Sequence, residues 1–193
     1  MGVAGGLFGA DVPDGFRYRA AFVSGDEERR LADIIGGIEF ANFEMRGVVA
    51  RRRVAFFGAT YDASLPASGP VPEFLFALRS RIASWAQVEP AAFAMVLVNE
   101  YQPGAPIGWH RDAPQYDIVA GVSLLSSCRM RFRPYEPAGL AVGPRPRRTT
   151  THEIVLEPRS VYLMTGASRQ RYEHHIPAVS SLRYSITFRT LRQ

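Results

Sequence analysis

The chain has 193 residues, of which 47% are hydrophobic and 21% are charged, so it is long enough to form one domain with a buried core. Its apolar runs are too short to span a bilayer, its first ten residues lack the basic start of a signal peptide, and a single cysteine, Cys128, excludes an intrachain disulfide. All 23 basic side chains are arginines, and the net charge of +5 raises the odds of a polyanionic partner, but on charge alone a solvated surface with spread charges is the favoured interpretation. We expect one domain over residues 1–193, a monomer, without membrane contact, in a bacterial cytoplasm.

Two helices are predicted in the first half of the chain. Ser24 and Glu27 have the spacing of a capping box, which predicts a helix from about residue 25 to 35 that the following glycines end. A second helix is predicted from Pro72 to about Ala86, because a proline suits the first turn and apolar residues recur there at helical spacing. We expect that apolar stripe to pack into the core.

The second half of the chain reads as short strands. The predicted strands cover residues 93–101, 117–125, 128–132, 152–156, 161–164 and 183–189. In the last of them Tyr184, Ile186 and Phe188 face one way and the polar residues face the other, and an inward-facing Cys128 begins another alternating run. Many short strands between Gly/Pro turns predict a mainly β sandwich or jelly roll, with the helices packed on one outer face.

A metal site is indicated by the histidines. His110 and Asp112 are two residues apart on an extended segment, so both side chains point to the same side and can share one ion. Either His174 or His175 can add the third ligand of a two-His, one-carboxylate triad, which is typical of non-haem Fe(II) oxygenases. A His-x-Asp pair alone occurs often by chance, so the hypothesis depends on the residues around it.

An anion site is indicated by the last strand. Arg183 and Arg189 are six residues apart and share a face, and a guanidinium can bind a carboxylate through two hydrogen bonds. The alternative is a solvated face of an edge strand. Asn99 and Tyr101 likewise share a face at the end of an apolar strand, either directed toward the same cavity or simply meeting water. Trp109, next to His110, is expected to pack in the core beneath the site.

Taken together, these segments resemble the AlkB family of Fe(II)- and 2-oxoglutarate-dependent nucleic-acid demethylases. The segment Asn99–Gly104, running on to Ile107–Asp112, is similar to the family's N-x-Y and H-x-D signature. The segment His174–Pro177, followed by Arg183–Arg189, is similar to its H-x-I-P and R-Y-x-x-T-F-R ending. Order, spacing and neighbouring residues agree from about residue 98 to 189.

The resemblance implies a double-stranded β-helix, with residues 93–191 as its jelly-roll core, and a requirement for Fe(II), 2-oxoglutarate and O2. It implies three iron ligands: His110, Asp112 and His174, the last favoured over His175 because the family's ligand lies two residues before the Ile. It also implies that Arg183, helped by Tyr101, pairs with the distal carboxylate of 2-oxoglutarate, and that Arg189 and Asn99 lie near its other end.

On the substrate side, the resemblance implies a nucleotide-recognition lid over residues of about 40–65. Such an enzyme needs cations for phosphates and an aromatic ring for a flipped base. The candidates are Phe43, Arg51, Arg52, Arg53 and Tyr61. Val54, Phe56 and Phe57 are expected to be strand core, and the Arg145–Arg148 run is either a backbone contact or a plain loop.

The function implied is oxidative demethylation of N-alkylated bases in DNA or RNA, with succinate, CO2 and formaldehyde as products. The alternatives are a 2-oxoglutarate oxygenase that acts on a protein or small molecule, and a jelly-roll binding module without metal.

Overall fold

The protein was analysed as a computed structural model, which describes residues 12–45, 48–59, 69–136 and 151–192. The helices are α1 (Gly25–Gly36), α2 (Phe76–Ala86) and α3 (Gly166–Gln170). The strands are β1 (Phe16–Arg19), β2 (Ala41–Met45), β3 (Val48–Gly58), β4 (Met95–Tyr101), β5 (Ile107–His110), β6 (Tyr116–Leu124), β7 (Cys128–Pro134), β8 (His152–Leu156), β9 (Ser160–Met164), β10 (Tyr172–Ile176) and β11 (Arg183–Leu191). In these ranges no helix is both long and apolar enough to cross a bilayer.

The strands form two antiparallel sheets. The large sheet has the order β1-β9-β6-β11-β4-β3-β2, and the small sheet has the order β5-β10-β7-β8. From β4 to β11 the chain passes back and forth between the two sheets, apart from the adjacent pair β7 and β8. This winding makes a double-stranded β-helix, so the predicted jelly roll is confirmed.

The two long helices, α1 and α2, pack on the outer face of the large sheet, as predicted. The Ser24 side chain accepts a hydrogen bond from the backbone N–H of Glu27 at 3.1 Å, which starts α1 where the capping-box spacing predicts it. Ile35 and Ile82, one from each long helix, are fully buried in the same cluster as the outward-facing side chains of the sheet. Each such side chain contributes about 1.5–3 kcal/mol by leaving water.

A second core lies between the two sheets and encloses the site described below. In β7 the alternation predicted from the sequence is confirmed: Cys128, Met130 and Phe132 are buried and face the large sheet, while the arginines between them face outward. Burial raises the pKa of the Cys128 thiol, although nearby Arg183 lowers it, so the sulfur is a packing group and not a nucleophile.

The structure excludes the edge-strand alternative for the last strand and adds strands outside the predicted jelly-roll core. β11 is not an edge strand: it lies between β4 and β6 and is buried on both faces, so Arg183 and Arg189 are interior residues. The sheet also extends beyond residues 93–191, because β1, β2 and β3 join it. β3 pairs with β4 from Arg53–Glu100 to Gly58–Met95. The two strands lie far apart in sequence, so no short hairpin turn predicts their pairing.

Candidate active site

The three predicted metal ligands meet between the two sheets. His110 on β5 lies directly opposite His174 on β10, and their ring centroids are 4.1 Å apart. Asp112 follows β5 and brings its Oδ2 to 3.7 Å from Nε2 of His174. His174 and Asp112 are almost completely buried, so two imidazoles and one carboxylate share an enclosed corner of the core.

His175 points away from this corner. Consecutive residues of a strand face opposite sides, and the His175 ring stacks on Trp109 at 5.0 Å on the outer face of the small sheet. The guanidinium of Arg133 lies 4.5 Å from the centre of the same Trp109 ring. The expectation that Trp109 packs in the core is therefore wrong: because His110 faces inward, its strand neighbour must face outward, where it is half-buried.

Asp112 is held by Arg189. Nε and one terminal nitrogen of Arg189 donate hydrogen bonds to Oδ1 of Asp112 at 3.0 and 2.8 Å. Burial alone would raise the pKa of Asp112, but Arg189 and the two histidines more than offset it and hold that pKa well below its usual range. The pKa of Arg189 is raised in turn, because the Asp112 carboxylate outweighs the effect of burial. The carboxylate is therefore an anion at neutral pH.

The two histidines are neutral in this environment. Burial, followed by the proximity of His110, lowers the pKa of His174 to about 3, and burial likewise lowers the pKa of His110. Nδ1 of His110 lies 2.9 Å from the carbonyl oxygen of Gly108. A carbonyl can only accept, so Nδ1 carries the proton and Nε2 keeps its lone pair, which is the arrangement of a metal-binding imidazole.

Two imidazoles and one carboxylate are a donor set that fits Fe(II), although their side chains are not arranged around one metal position in this structure. Across the described ranges, no three His, Cys, Asp or Glu side chains already surround one metal position. Instead the two imidazoles contact each other and Asp112 is turned toward Arg189. However, Oδ2 of Asp112 is buried and has no hydrogen-bond partner among the described residues. A buried carboxylate oxygen without a partner is costly, and a cation beside the histidines would satisfy it.

Arg183 provides a second, carboxylate-binding feature. It is fully buried, its Nε donates to Oγ of Ser123 at 3.0 Å, and its guanidinium carbon lies 5.0 Å from the centre of the Tyr101 ring. Within the described part of the chain, neither of its terminal nitrogens has a hydrogen-bond acceptor. A buried guanidinium with two unsatisfied nitrogens fits one end of a dicarboxylate such as 2-oxoglutarate.

A cavity of about 130 Å³ lies beside the predicted metal ligands. Asn99, Tyr101 and Arg189 line it together with the three metal-ligand candidates. Arg183 is not among the lining residues; it lies behind Tyr101, its direct partner in the β4–β11 ladder. Six of the seven residues predicted to bind iron or 2-oxoglutarate thus line one cavity, and the seventh contacts its wall.

The predicted substrate residues are divided between the cavity and the surface. Arg52 is buried and lines the cavity, whereas Arg51 and Arg53 are exposed. Val54 is strand core as expected, but Phe56 lines the cavity. The side chain of Phe43 lies outside the described residues, as do Tyr61, Arg145, Arg147 and Arg148.

Two arginines that the sequence did not single out also shape the site. Arg169 on α3 donates to the backbone oxygens of Ala113 and Tyr116, the latter at 3.0 Å, and so fixes the segment that follows Asp112. Arg111 lines the cavity, and its guanidinium carbon lies 3.5 Å from the centre of the Tyr135 ring. Neither belongs to a local pattern, because both partners come from distant parts of the chain.

Comparison with known proteins agrees with this geometry. The family profile of the 2OG-Fe(II) oxygenase superfamily matches residues 57–189. The chain is 26% identical over 175 residues to mouse tRNA (carboxymethyluridine(34)-5-O)-methyltransferase ALKBH8, a match that covers 86% of this chain and 24% of that protein. It is 26% identical over 167 residues to the uncharacterized protein L905 of Acanthamoeba polyphaga mimivirus, covering 85% of this chain and 73% of that protein. The chain therefore spans only about a quarter of the length of ALKBH8.

Solved structures show the same fold. OsALKBH1 superposes with a TM-score of 0.66 at 16% identity, over 91% of this chain and 98% of that one. A prolyl-4-hydroxylase from Pseudomonas putida superposes with a TM-score of 0.60 at 14% identity, over 93% of each chain. The chain belongs to the 2OG-Fe(II) oxygenase superfamily, whose members use Fe(II), 2-oxoglutarate and O2, and it is similar in sequence to ALKBH8 and in fold to OsALKBH1.

Proposed function

We propose that this dioxygenase demethylates N-alkylated bases in DNA or RNA. The observation that carries the proposal is the convergence of His110, Asp112 and His174 beside a cavity whose wall includes β3, the strand that also presents Arg51 and Arg53 to solvent. A cation-bearing strand next to an oxidation site suits a polyanionic substrate. Two further facts support it: the net charge of +5, and the likeness to ALKBH8, whose name describes the modification of a tRNA uridine.

In this proposal the chain positions its reactants through groups of opposite charge. His110, Asp112 and His174 bind the iron, and Arg189 holds the Asp112 carboxylate so that Oδ2 stays directed toward the histidines. When bound, iron, 2-oxoglutarate and O2 supply the oxidation of the N-alkyl carbon, which is then lost as formaldehyde.

The cosubstrate is proposed to lie along the inner face of the large sheet. Arg183 takes its distal carboxylate, with Tyr101 beside it, and Asn99 and Arg189 lie toward the metal end. The apolar side chains Leu97 and Ile176 line the same cavity and keep water away from the reacting groups.

The substrate base must leave its stack to reach this enclosed corner, so single strands are the preferred partner. Arg51 and Arg53 are proposed to contact phosphates. Arg53 also bonds Glu100 at 2.7 Å, which leaves Arg51 as the more available cation of the two. We further propose that the protein acts as a monomer in the cytoplasm.

A reconstitution experiment tests the proposal. The chain is loaded anaerobically with Fe(II) and 2-oxoglutarate, O2 is admitted, and succinate and formaldehyde are followed with a single-stranded oligonucleotide that contains 3-methylcytosine. We expect formaldehyde that depends on the methylated oligonucleotide and is absent with the unmethylated one. His110→Ala should abolish it, whereas His175→Ala, on the opposite face of the small sheet, should retain it. Formaldehyde from both histidine variants would exclude the proposed iron site.

A second candidate function is hydroxylation of a protein or a small molecule. Besides the bacterial enzyme, a Trichoplax adhaerens prolyl hydroxylase in complex with a hypoxia inducible factor peptide superposes with a TM-score of 0.64 at 15% identity, about as well as OsALKBH1. The fold alone therefore does not separate the two substrate classes. Succinate without formaldehyde, together with no salt-dependent affinity for single-stranded DNA or RNA, would favour this function over demethylation.

A further inference from the structure

Arg111 marks the mouth of the cavity. Among the described residues that line the cavity it is the one exposed residue, and the others are buried or half-buried. It lies between His110 and Asp112 in the chain, directly after the end of β5, where strand alternation no longer fixes the direction of a side chain. A substrate that enters the cavity to reach the metal ligands therefore passes close to Arg111.

The guanidinium of Arg111 is held in one place by uncharged groups. Its central carbon lies 3.5 Å from the centre of the Tyr135 ring, and one terminal nitrogen donates a hydrogen bond to the backbone oxygen of Gln170 at 3.2 Å. No described carboxylate forms an ion pair with it. Because Tyr135 covers one face of the guanidinium, the other face remains for a flat group, and the mouth keeps a fixed positive charge.

Carboxylates are scarce around the cavity. Asp112 is the one acidic residue among the described residues that line it, and Arg189 holds that carboxylate with two hydrogen bonds. Burial lowers the pKa of the neighbouring Arg169, and the charges of other arginines, with Arg111 among them, lower it further although Asp112 raises it. Fe(II) and the 2-oxoglutarate dianion carry equal and opposite charges, so their binding leaves this excess of positive charge unchanged.

We propose that this mouth selects electrically neutral alkylated bases over cationic ones, and that Arg111 determines the selection. The inference rests on the demethylation proposed above and names the class of base. Methylation at N3 makes cytosine cationic, whereas 3-methyluracil carries the same methyl group on the same ring nitrogen and is neutral. A neutral base can stack on a guanidinium plane. A cationic base at the same place is repelled by the like charge of Arg111.

The experiment compares two single-stranded oligonucleotides of one sequence, with 3-methyluracil or 3-methylcytosine at the same position. The release of formaldehyde gives kcat/KM for each at neutral pH. The variants are Arg111→Gln, which removes the charge, and Arg111→Glu, which reverses it. The matched control is Arg171→Gln, because Arg171 is an exposed arginine at the end of α3 that does not line the cavity. Binding of 2-oxoglutarate to the Mn(II)-loaded protein checks that each variant keeps its site.

We expect the wild type to prefer 3-methyluracil by about 10-fold in kcat/KM. Two like charges about 4 Å apart lower an association by a factor of about five in water, and by more beside a protein wall. 3-Methylcytosine therefore remains a substrate, but a slower one. Arg111→Gln should remove most of the preference, Arg111→Glu should reverse it, and Arg171→Gln should leave it as it is. The wild-type preference should also shrink as the pH rises through the pKa of 3-methylcytosine, where that base loses its charge.

Three results would overturn the inference: a wild-type preference for 3-methylcytosine, a preference for 3-methyluracil that Arg111→Gln keeps in full, or a wild-type preference that does not change with pH. The pH dependence is measured on the wild type, so it decides the question even where a variant loses its fold. Formaldehyde from neither oligonucleotide would instead contradict the proposed demethylation, and the inference with it.

Discussion

Removing the Asp112 carboxylate tests the buried pair on which the site is built. Asp112→Ala would leave Arg189, which is 8% exposed, charged and without the two hydrogen bonds at 2.8 and 3.0 Å. Breaking a buried ion pair by removing one partner costs about 3–5 kcal/mol. Since domains unfold at about 5–15 kcal/mol, the loss is a large share of the total. Asp112→Asn keeps an oxygen acceptor for Arg189 and should cost less, about 1–2 kcal/mol.

The assay is urea unfolding of metal-free protein, followed by tryptophan fluorescence. Adding Arg189→Met to Asp112→Ala should recover part of the loss, because the stranded charge is gone. Both single Asp112 variants should lose bound metal and turnover, so the Asn variant separates metal ligation from the ion pair. If the free energy of unfolding of metal-free Asp112→Ala lies within about 1 kcal/mol of the wild-type value, the loss is well below the cost of a broken buried pair. That result would show that Asp112 and Arg189 do not form a buried ion pair on which the fold depends.

Three further predictions follow from neighbouring groups. Arg183→Met should strongly weaken 2-oxoglutarate binding but change the free energy of unfolding by no more than about 1 kcal/mol, because losing the hydrogen bond to Ser123 is offset by removing two buried nitrogens that lack partners; a large drop in the urea midpoint would contradict this. The metal-free protein should lose stability as the pH falls from about 6.5 toward 3. Burial lowers the pKa of His174 to about 3 in the folded protein, whereas in the unfolded chain this histidine has its ordinary pKa of 6.5 and is protonated first. Equal urea midpoints at pH 7.5 and pH 5 would refute this prediction. Gly121→Ala places a methyl group where the ring of Tyr162 lies, so it should displace that ring into the cavity and weaken 2-oxoglutarate binding, and an unchanged affinity would exclude the close packing.

Local signals predicted the parts of the fold that depend on nearby residues. The capping box at Ser24 predicted the start of α1, and the period of two in β7 predicted which side chains face the core. The predicted helix from Pro72 formed as well, although its first turn, Glu73–Leu75, is a 3-10 turn and the α-helix begins at Phe76. In each case the determining interaction spans only a few residues, so it is visible in the sequence.

The missing parts depend on partners far away in the chain. The place of β3 in the sheet depends on β4, whose paired residues lie between 37 and 47 positions further along the chain. β11 is interior because β4 and β6 cover both its edges. The same limit applied to the site. The pattern put Asn99 and Tyr101 on one face, but only the fold shows that Arg52 joins them and that Arg189 bonds Asp112.

The choice between His174 and His175 shows how packing fixes chemistry. Ile176 is 5% exposed and shares its strand face with His174, so burying the isoleucine also turns His174 inward. A slip of β10 by one residue would bring His175 and Glu173 into the core and expose Ile176. It would also break the Glu173–Arg133 pair and lose about 1.5–3 kcal/mol of apolar burial, while burying a carboxylate. The burial of Ile176, two positions after His174, therefore determines that His174 and not His175 faces His110 and Asp112.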